Sequence, residues 1–150
     1  MNALSPEMLE TLVEVLEERD MDQEIRAIIL TGNERVFAAG ADIRAMSKSS
    51  PMNILEIDTL RYWKRIWNIN KPLIAAVSGY VYSGGYELVL SCDMIVASEN
   101  ACFAQPEINL GIIPGAGGTQ RWTKAITPYR AMELILTGEP ISAKVHMIMG

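Results

Sequence analysis

An α/β fold with mostly parallel strands is predicted by three observations in this 150-residue sequence. Short, largely apolar runs, too short for ordinary helices, recur at residues 27–30, 73–77 and 93–97, the last opened by Asp93. Stretches with helical spacing of apolar residues separate them, and the connections are short and rich in small residues. Ser5-Pro6 reads as a helix N-cap followed by proline at the first helical position. Met8, Leu9, Leu12, Val13 and Leu16 then repeat at helical spacing, with glutamates between them. Residues 20–22 break that helix. The run at 27–30, closed by Thr31-Gly32-Asn33, reads as a strand buried on both faces. Residues 37–42 read as a small-residue loop. A helix is expected over 49–67, started by Pro51 and packed through Ile54, Leu55, Leu60, Trp63 and Trp67. Residues 73–77 form the second buried strand. Ser83-Gly84-Gly85 then leads into a helix over 86–91. A third strand covers 93–97 and a short fourth 101–104. Gly115-Ala116-Gly117-Gly118 precedes a helix over 119–125, and Pro128 starts another that ends at Thr137-Gly138.

Composition excludes several function classes. Hydrophobic residues make up 49% and charged residues 21%, close to the globular average, so wholesale disorder is not expected. Thirteen Lys and Arg face 18 Asp and Glu, a net charge of −5, which provides no broad field for nucleic acid or anionic lipid. Cys92 and Cys102 are too few for a disulfide scaffold, and with His146 they offer too few ligands for a zinc site. Both cysteines lie in apolar runs and are expected in the core. Free thiols fit a reducing compartment, so a cytoplasmic location is expected. The N-terminal stretch is charged throughout and unlike a signal peptide, and no apolar run reaches the ~18 residues of a membrane span. Neither a membrane nor a nucleic acid is expected as partner.

In open parallel α/β folds, the loops leaving strand carboxyl ends build the site. Two of the small-residue loops, residues 38–42 and 83–85, allow a ligand to approach backbone N–H groups closely. Two such donors form an oxyanion hole, and the same residues also fit plain tight turns. Neither loop matches a phosphate-cradling fingerprint. Glu87 lies two residues past Gly85 among apolar neighbours, and Glu107 follows the fourth strand in Gln105-Pro106-Glu107. A buried or paired carboxylate acts as acid or base near neutral pH, whereas an exposed one merely supports a helix N-terminus.

Several blocks in fixed order carry a resemblance. They are Phe37-Ala38-Ala39-Gly40-Ala41-Asp42-Ile43, Gly79-Tyr80-Val81-Tyr82-Ser83-Gly84-Gly85-Tyr86-Glu87-Leu88 and Ser91-Cys92-Asp93. Phe103-Ala104-Gln105-Pro106-Glu107 and residues 111–121, from Gly111 to Arg121, complete the set. The sequence resembles the enoyl-CoA hydratase/isomerase, or crotonase, superfamily over roughly residues 2–144, and its motifs are most similar to enoyl-CoA hydratase. The resemblance implies a crotonase-like (ClpP/crotonase) fold of repeated ββα units and a site for acyl-CoA thioesters. It implies oxyanion donors at the N–H groups of Ala41 and Gly84 and catalytic roles for Glu87 and Glu107. It further implies a CoA-binding surface over Ala39, Ala41, Asp42, Ile43, Arg44 and Gly84, and a water-positioning role for Gly115.

The reaction implied is addition of water across the C2=C3 bond of trans-2-enoyl-CoA in fatty-acid or related acyl-CoA metabolism. It needs no metal and no cofactor beyond the coenzyme A of the substrate. Homo-trimers, often paired into hexamers, are implied as the assembly. The alternatives are an enoyl-CoA isomerase or another reaction of the superfamily, and an inactive subunit or interaction module. The last is suggested because the family's first strand and C-terminal helical region have no counterpart in these residues. Ser83 stands where the family pattern has glycine or alanine, and Tyr86 is a bulky neighbour of Glu87 expected to shape the acyl pocket.

Overall fold

The computed structural model describes residues 1–42 and 60–149. Its order begins with α1 (Pro6–Met21), β1 (Ile28–Thr31), β2 (Val36–Ala38) and α2 (Leu60–Trp67). It continues with β3 (Leu73–Val77), β4 (Tyr80–Tyr82), α3 (Gly84–Leu90), β5 (Met94–Ala97) and β6 (Cys102–Ala104). A 3-10 turn (Pro106–Leu110), α4 (Gly118–Ala125), α5 (Pro128–Thr137), β7 (Ile141–Ser142) and α6 (Ala143–Met149) complete it. The expected helix start at residue 49 falls outside the described residues.

The strands divide between two sheets. β1, β3 and β5 form one in the order β1-β3-β5, wholly parallel. β2, β4, β6 and β7 form the other, parallel except for the final β6–β7 pair. Each pair of successive strands therefore sends its first member to one sheet and its second to the other. Repetition of this unit, with β3-β4-α3 as its clearest copy, is the ββα architecture expected from the resemblance.

Local chemistry explains the elements. The Ser5 hydroxyl accepts from the Met8 N–H at 3.2 Å, and Pro6 opens α1. Leu9, Val13 and Leu16 form its buried stripe, while Met8 is exposed, so the packed face is narrower than expected. Arg65 on α2 forms two hydrogen bonds with the Glu17 carboxylate, at 2.8 and 2.6 Å, fastening α2 to α1. Thr127 caps α5 and Gly138 ends it in a left-handed conformation.

Two expectations require correction. The strands of the first sheet are buried on one face only. Ile29, Met94 and Val96 are 63%, 56% and 56% exposed, while Leu73, Ala75 and Val77 point into the core. Register aligns Ile29, Ile74 and Met94, so the outward residues share one face. The cysteines are half-buried and free rather than fully in the core. The short strands β2, β4 and β7 and the helix α6 were not expected.

Tyr86 also departs from expectation. Its ring is fully buried in the core, 4.8 Å from the Trp122 ring and 5.3 Å from that of Phe103. Its hydroxyl lies 2.6 Å from His146 Nε2. Burial lowers the His146 pKa, which favours the neutral imidazole in that contact. Tyr86 thus ties α3 to β6, α4 and α6 and fixes the first turn of the helix that carries Glu87. Among the described residues, no helix is long and apolar enough to cross a membrane.

Candidate active site

The sequence 83–85 must turn from β4 directly into α3. Gly85 has to be glycine there, because a Cβ would lie 2.3 Å from the Ala38 carbonyl oxygen. This close approach brings α3 against the end of β2, where residues 39–42 begin. That loop is held from its other side. The Asn2 amide donates to the Phe37 carbonyl at 2.9 Å, and the Leu4 N–H donates to the Gly40 carbonyl at 2.8 Å. Leu4 and Ala41 form a parallel bridge. Ala41 N lies 3.7 Å from where a Cβ on Gly84 would stand, so the two loops converge. Ala41 and Gly84 are therefore brought together as expected. Ala39 and Asp42 lie on the same loop, half-buried. Ile43 and Arg44 lie outside the described residues.

Glu87 sits on the first turn of α3, 3% exposed, and Glu107 on the 3-10 turn after β6, 5% exposed. Glu87 Oε1 accepts the Ala116 N–H at 2.7 Å and the Gly118 N–H at 2.8 Å. Those donors belong to the glycine-rich stretch that opens α4. Gly118 permits the approach. A Cβ there would lie 2.7 Å from Gln105 Oε1, 3.0 Å from Glu87 Oε1 and 3.0 Å from Pro114 Cβ. Gly115 is exposed, with open space where a Cβ would stand.

Burial raises the pKa of Glu87, its two N–H donors oppose the rise, and the nearby Glu107 adds to it. Burial also raises Glu107, opposed by the Ser83 hydroxyl. Among the described residues, two buried side-chain oxygens lack a partner: Glu107 Oε2 and Gln105 Oε1. A buried acceptor without a donor is costly, so both oxygens suit a bound group that supplies protons.

The sequence identified both glutamates but missed Gln105 and the N–H groups of Ala116 and Gly118. The available signal was the small-residue run entering a helix, which marks open N–H groups without saying what they bind.

Because its pKa is raised, Glu107 holds its proton more tightly in the folded chain than in the unfolded one. The stability linked to it is full below the unfolded pKa and is lost as pH rises through the folded pKa. Glu107→Gln is expected to be more stable than the wild type at neutral pH. The gap should close as pH falls through the ordinary carboxylate range. Urea denaturation at neutral pH and again below the ordinary carboxylate range measures it, and equal stabilities at neutral pH would contradict the assignment.

Glu87 and Glu107 are two buried carboxylates, the second acting on the charge of the first, on elements that adjoin the converging loops of Ala41 and Gly84, an arrangement able to support acid–base chemistry. The chain belongs to the enoyl-CoA hydratase/isomerase family, whose model it matches over residues 1–150. It is 46% identical over 144 residues to a mitochondrial enoyl-CoA hydratase of Pongo abelii, covering 96% of this chain and 50% of that relative. It is also 46% identical over 143 residues to the 2,3-dehydroadipyl-CoA hydratase of Escherichia coli, covering 95% of this chain and 56% of the relative. The solved enoyl-CoA hydratase subunit I of Geobacillus kaustophilus superposes with a TM-score of 0.95 at 48% identity, covering 99% of this chain and 58% of that one. The chain thus spans about half the length of the curated relatives it matches.

Proposed function

We propose that this protein is an enoyl-CoA hydratase, a lyase that adds water across the C2=C3 bond of trans-2-enoyl-CoA thioesters. The observation that carries the reading is that Glu87, fixed by two N–H donors, and Glu107, whose Oε2 is buried and unpaired, are both buried and close enough for the charge of Glu107 to act on Glu87. The thioester oxygen sits between the N–H groups of Ala41 and Gly84, which stabilise the enolate charge. Glu87, favoured as a carboxylate by its donors, takes a proton from water as that oxygen bonds to C3. Glu107 donates its proton to C2. Gly115 helps hold the water at the start of α4. Ala39, Asp42, Ile43 and Arg44 bind the coenzyme A portion of the substrate.

The reaction requires no metal, and coenzyme A enters only as part of the thioester. The assembly we propose is a homo-trimer or a pair of trimers, acting in the cytoplasm in fatty-acid or related acyl-CoA metabolism such as β-oxidation. The test is the absorbance of a conjugated enoyl-CoA, which hydration bleaches. Appearance of a positional isomer without hydration would assign the protein to isomerase chemistry instead.

The raised carboxyl groups set the pH dependence. Activity requires one glutamate ionised and one protonated, and the pair titrates as a unit. Since burial raises both, the acid and alkaline limbs of kcat/KM are each expected above the ordinary carboxylate range. An acid limb within that range would contradict the assignment.

A further inference from the structure

His146 is the single histidine of the chain, and no step of the hydration uses it. It stands half-buried on α6, its ring 4.4 Å from the Phe103 ring and 5.6 Å from the Tyr86 ring. Its Nε2 is 2.6 Å from the Tyr86 hydroxyl. Burial drives the Tyr86 pKa up and the His146 pKa down, so the hydroxyl keeps its proton and donates it to a neutral Nε2. Few side chains hold the start of α3. Ser83 precedes it in a conformation that residues with a β-carbon seldom adopt, φ 54 and ψ −130, and gives no side-chain cap. Gly84 and Gly85 follow without side chains. Tyr86 is thus the first side chain of α3 to pack in the core, and Glu87 is the next residue. The Tyr86 ring meets that of Trp122 edge-on at 4.8 Å, on α4, the helix that Gly118 opens. Phe103 lies on β6, the strand that leads to Gln105 and Glu107. The contact between α6 and Tyr86 therefore sits where the elements bearing both glutamates meet.

We propose that His146 is a positioning residue for Glu87, acting through the Tyr86 hydroxyl. As acceptor it keeps the Tyr86 ring seated against Phe103 and Trp122, and the ring holds the first turn of α3. Glu87 Oε1 then stays on the N–H groups of Ala116 and Gly118, at 2.7 and 2.8 Å. Without the acceptor the hydroxyl is buried and unpaired, which favours conformations that carry it, and α3 with it, toward water. This role rests on the hydratase reading, in which Glu87 takes the proton from water.

His146→Leu removes the acceptor, and His146→Gln restores one as an amide oxygen. Both are compared with the wild type in the full-length chain at one neutral pH. Hydrogen exchange at the Ala116 and Gly118 amides reports the seat of Glu87, whatever reaction the protein catalyses. His146→Leu is expected to exchange there about tenfold faster with the β3 amides unchanged, and His146→Gln to return close to the wild type. In a hydrating enzyme, kcat of His146→Leu falls by about tenfold at nearly constant KM, and glutamine rescues it. A purely structural histidine would loosen β3 along with the Glu87 donors, or neither, and would show no split between kcat and KM. Either exchange result, or wild-type kcat in His146→Leu, would overturn the proposal and leave the hydratase reading standing. If the wild type does not hydrate, that reading fails by itself, and exchange alone decides the His146 link. Should the leucine variant not fold, the imidazole ¹⁵N signals of the wild type, assigned by their loss in His146→Gln, decide it. A neutral ring protonated on Nδ1 supports the contact, and a ring protonated on Nε2 overturns it.

Discussion

Glu87→Gln is expected to lower kcat for enoyl-CoA hydration by about 10²–10⁴-fold, the range that a positioned general base contributes. The substitution preserves shape. Glutamine Oε1 still accepts the N–H groups of Ala116 and Gly118, so the loop that opens α4 should stay in place. What disappears is the negative charge and the capacity to take a proton from water. Affinity for a CoA thioester should change little, because Glu87 binds backbone N–H groups rather than the thioester carbonyl. A fall in kcat with KM nearly constant marks loss of an interaction made in the transition state. Glu107→Gln should show the same split through loss of the proton donor. The double variant should be little worse than either single one, since the two groups act on one water. Steady-state kinetics on the three variants measures this, and wild-type kcat in either single variant would remove that residue from the mechanism.

Gly118→Ala carries the second large effect. A single methyl group there would stand 2.7 Å from Gln105 Oε1, closer than real side chains come, and 3.0 Å from Glu87 Oε1, a contact tight enough that the carboxylate must give way. Glycine is a poor helix residue, so alanine would ordinarily favour α4. Here the local gain is opposed by displacement of Glu87 from its two donors. Misplacement of a reacting group by about 1 Å can lower the rate about 10²-fold. Gly118→Ala is expected to lose activity on that scale while melting within a few degrees of the wild type, about 1 kcal/mol in stability. Activity close to wild type would mean that the Glu87 contacts are not needed for catalysis.

Local signals in the chain reveal the parts of the fold that are built locally. Ser5-Pro6 and the spacing of Leu9, Val13 and Leu16 mark α1. Thr127-Pro128 and Gly138 mark both ends of α5, and the run 73–77 marks β3. The strands β2 and β4 have three residues each, too few for a period of two to show. They exist because partners distant in sequence complete their ladders, as Tyr80 does with Val36 and Cys102. Burial of β1 and β5 was overestimated for a related reason. An apolar run does not tell which of its faces is covered.

The site divides in the same way. Glu87 and Glu107 are visible as carboxylates among apolar and small residues. Their environment is not, because Ala116 and Gly118 reach Glu87 from about thirty residues further along the chain. The unpaired oxygens of Gln105 and Glu107 and the strained backbone of Ser83 emerge only once β4, β6 and α3 meet.

The hydration mechanism is tested most sharply by following the atoms of one water. Enoyl-CoA hydration run in D₂O enriched in ¹⁸O, with the full-length chain, is read by mass spectrometry and NMR of the product. The expected product is a 3-hydroxyacyl-CoA carrying one ¹⁸O at C3 and one deuteron at C2, with both labels suppressed together in Glu87→Gln and Glu107→Gln. Deuterium in recovered or isomerised enoyl-CoA, with no ¹⁸O at C3, would contradict the mechanism.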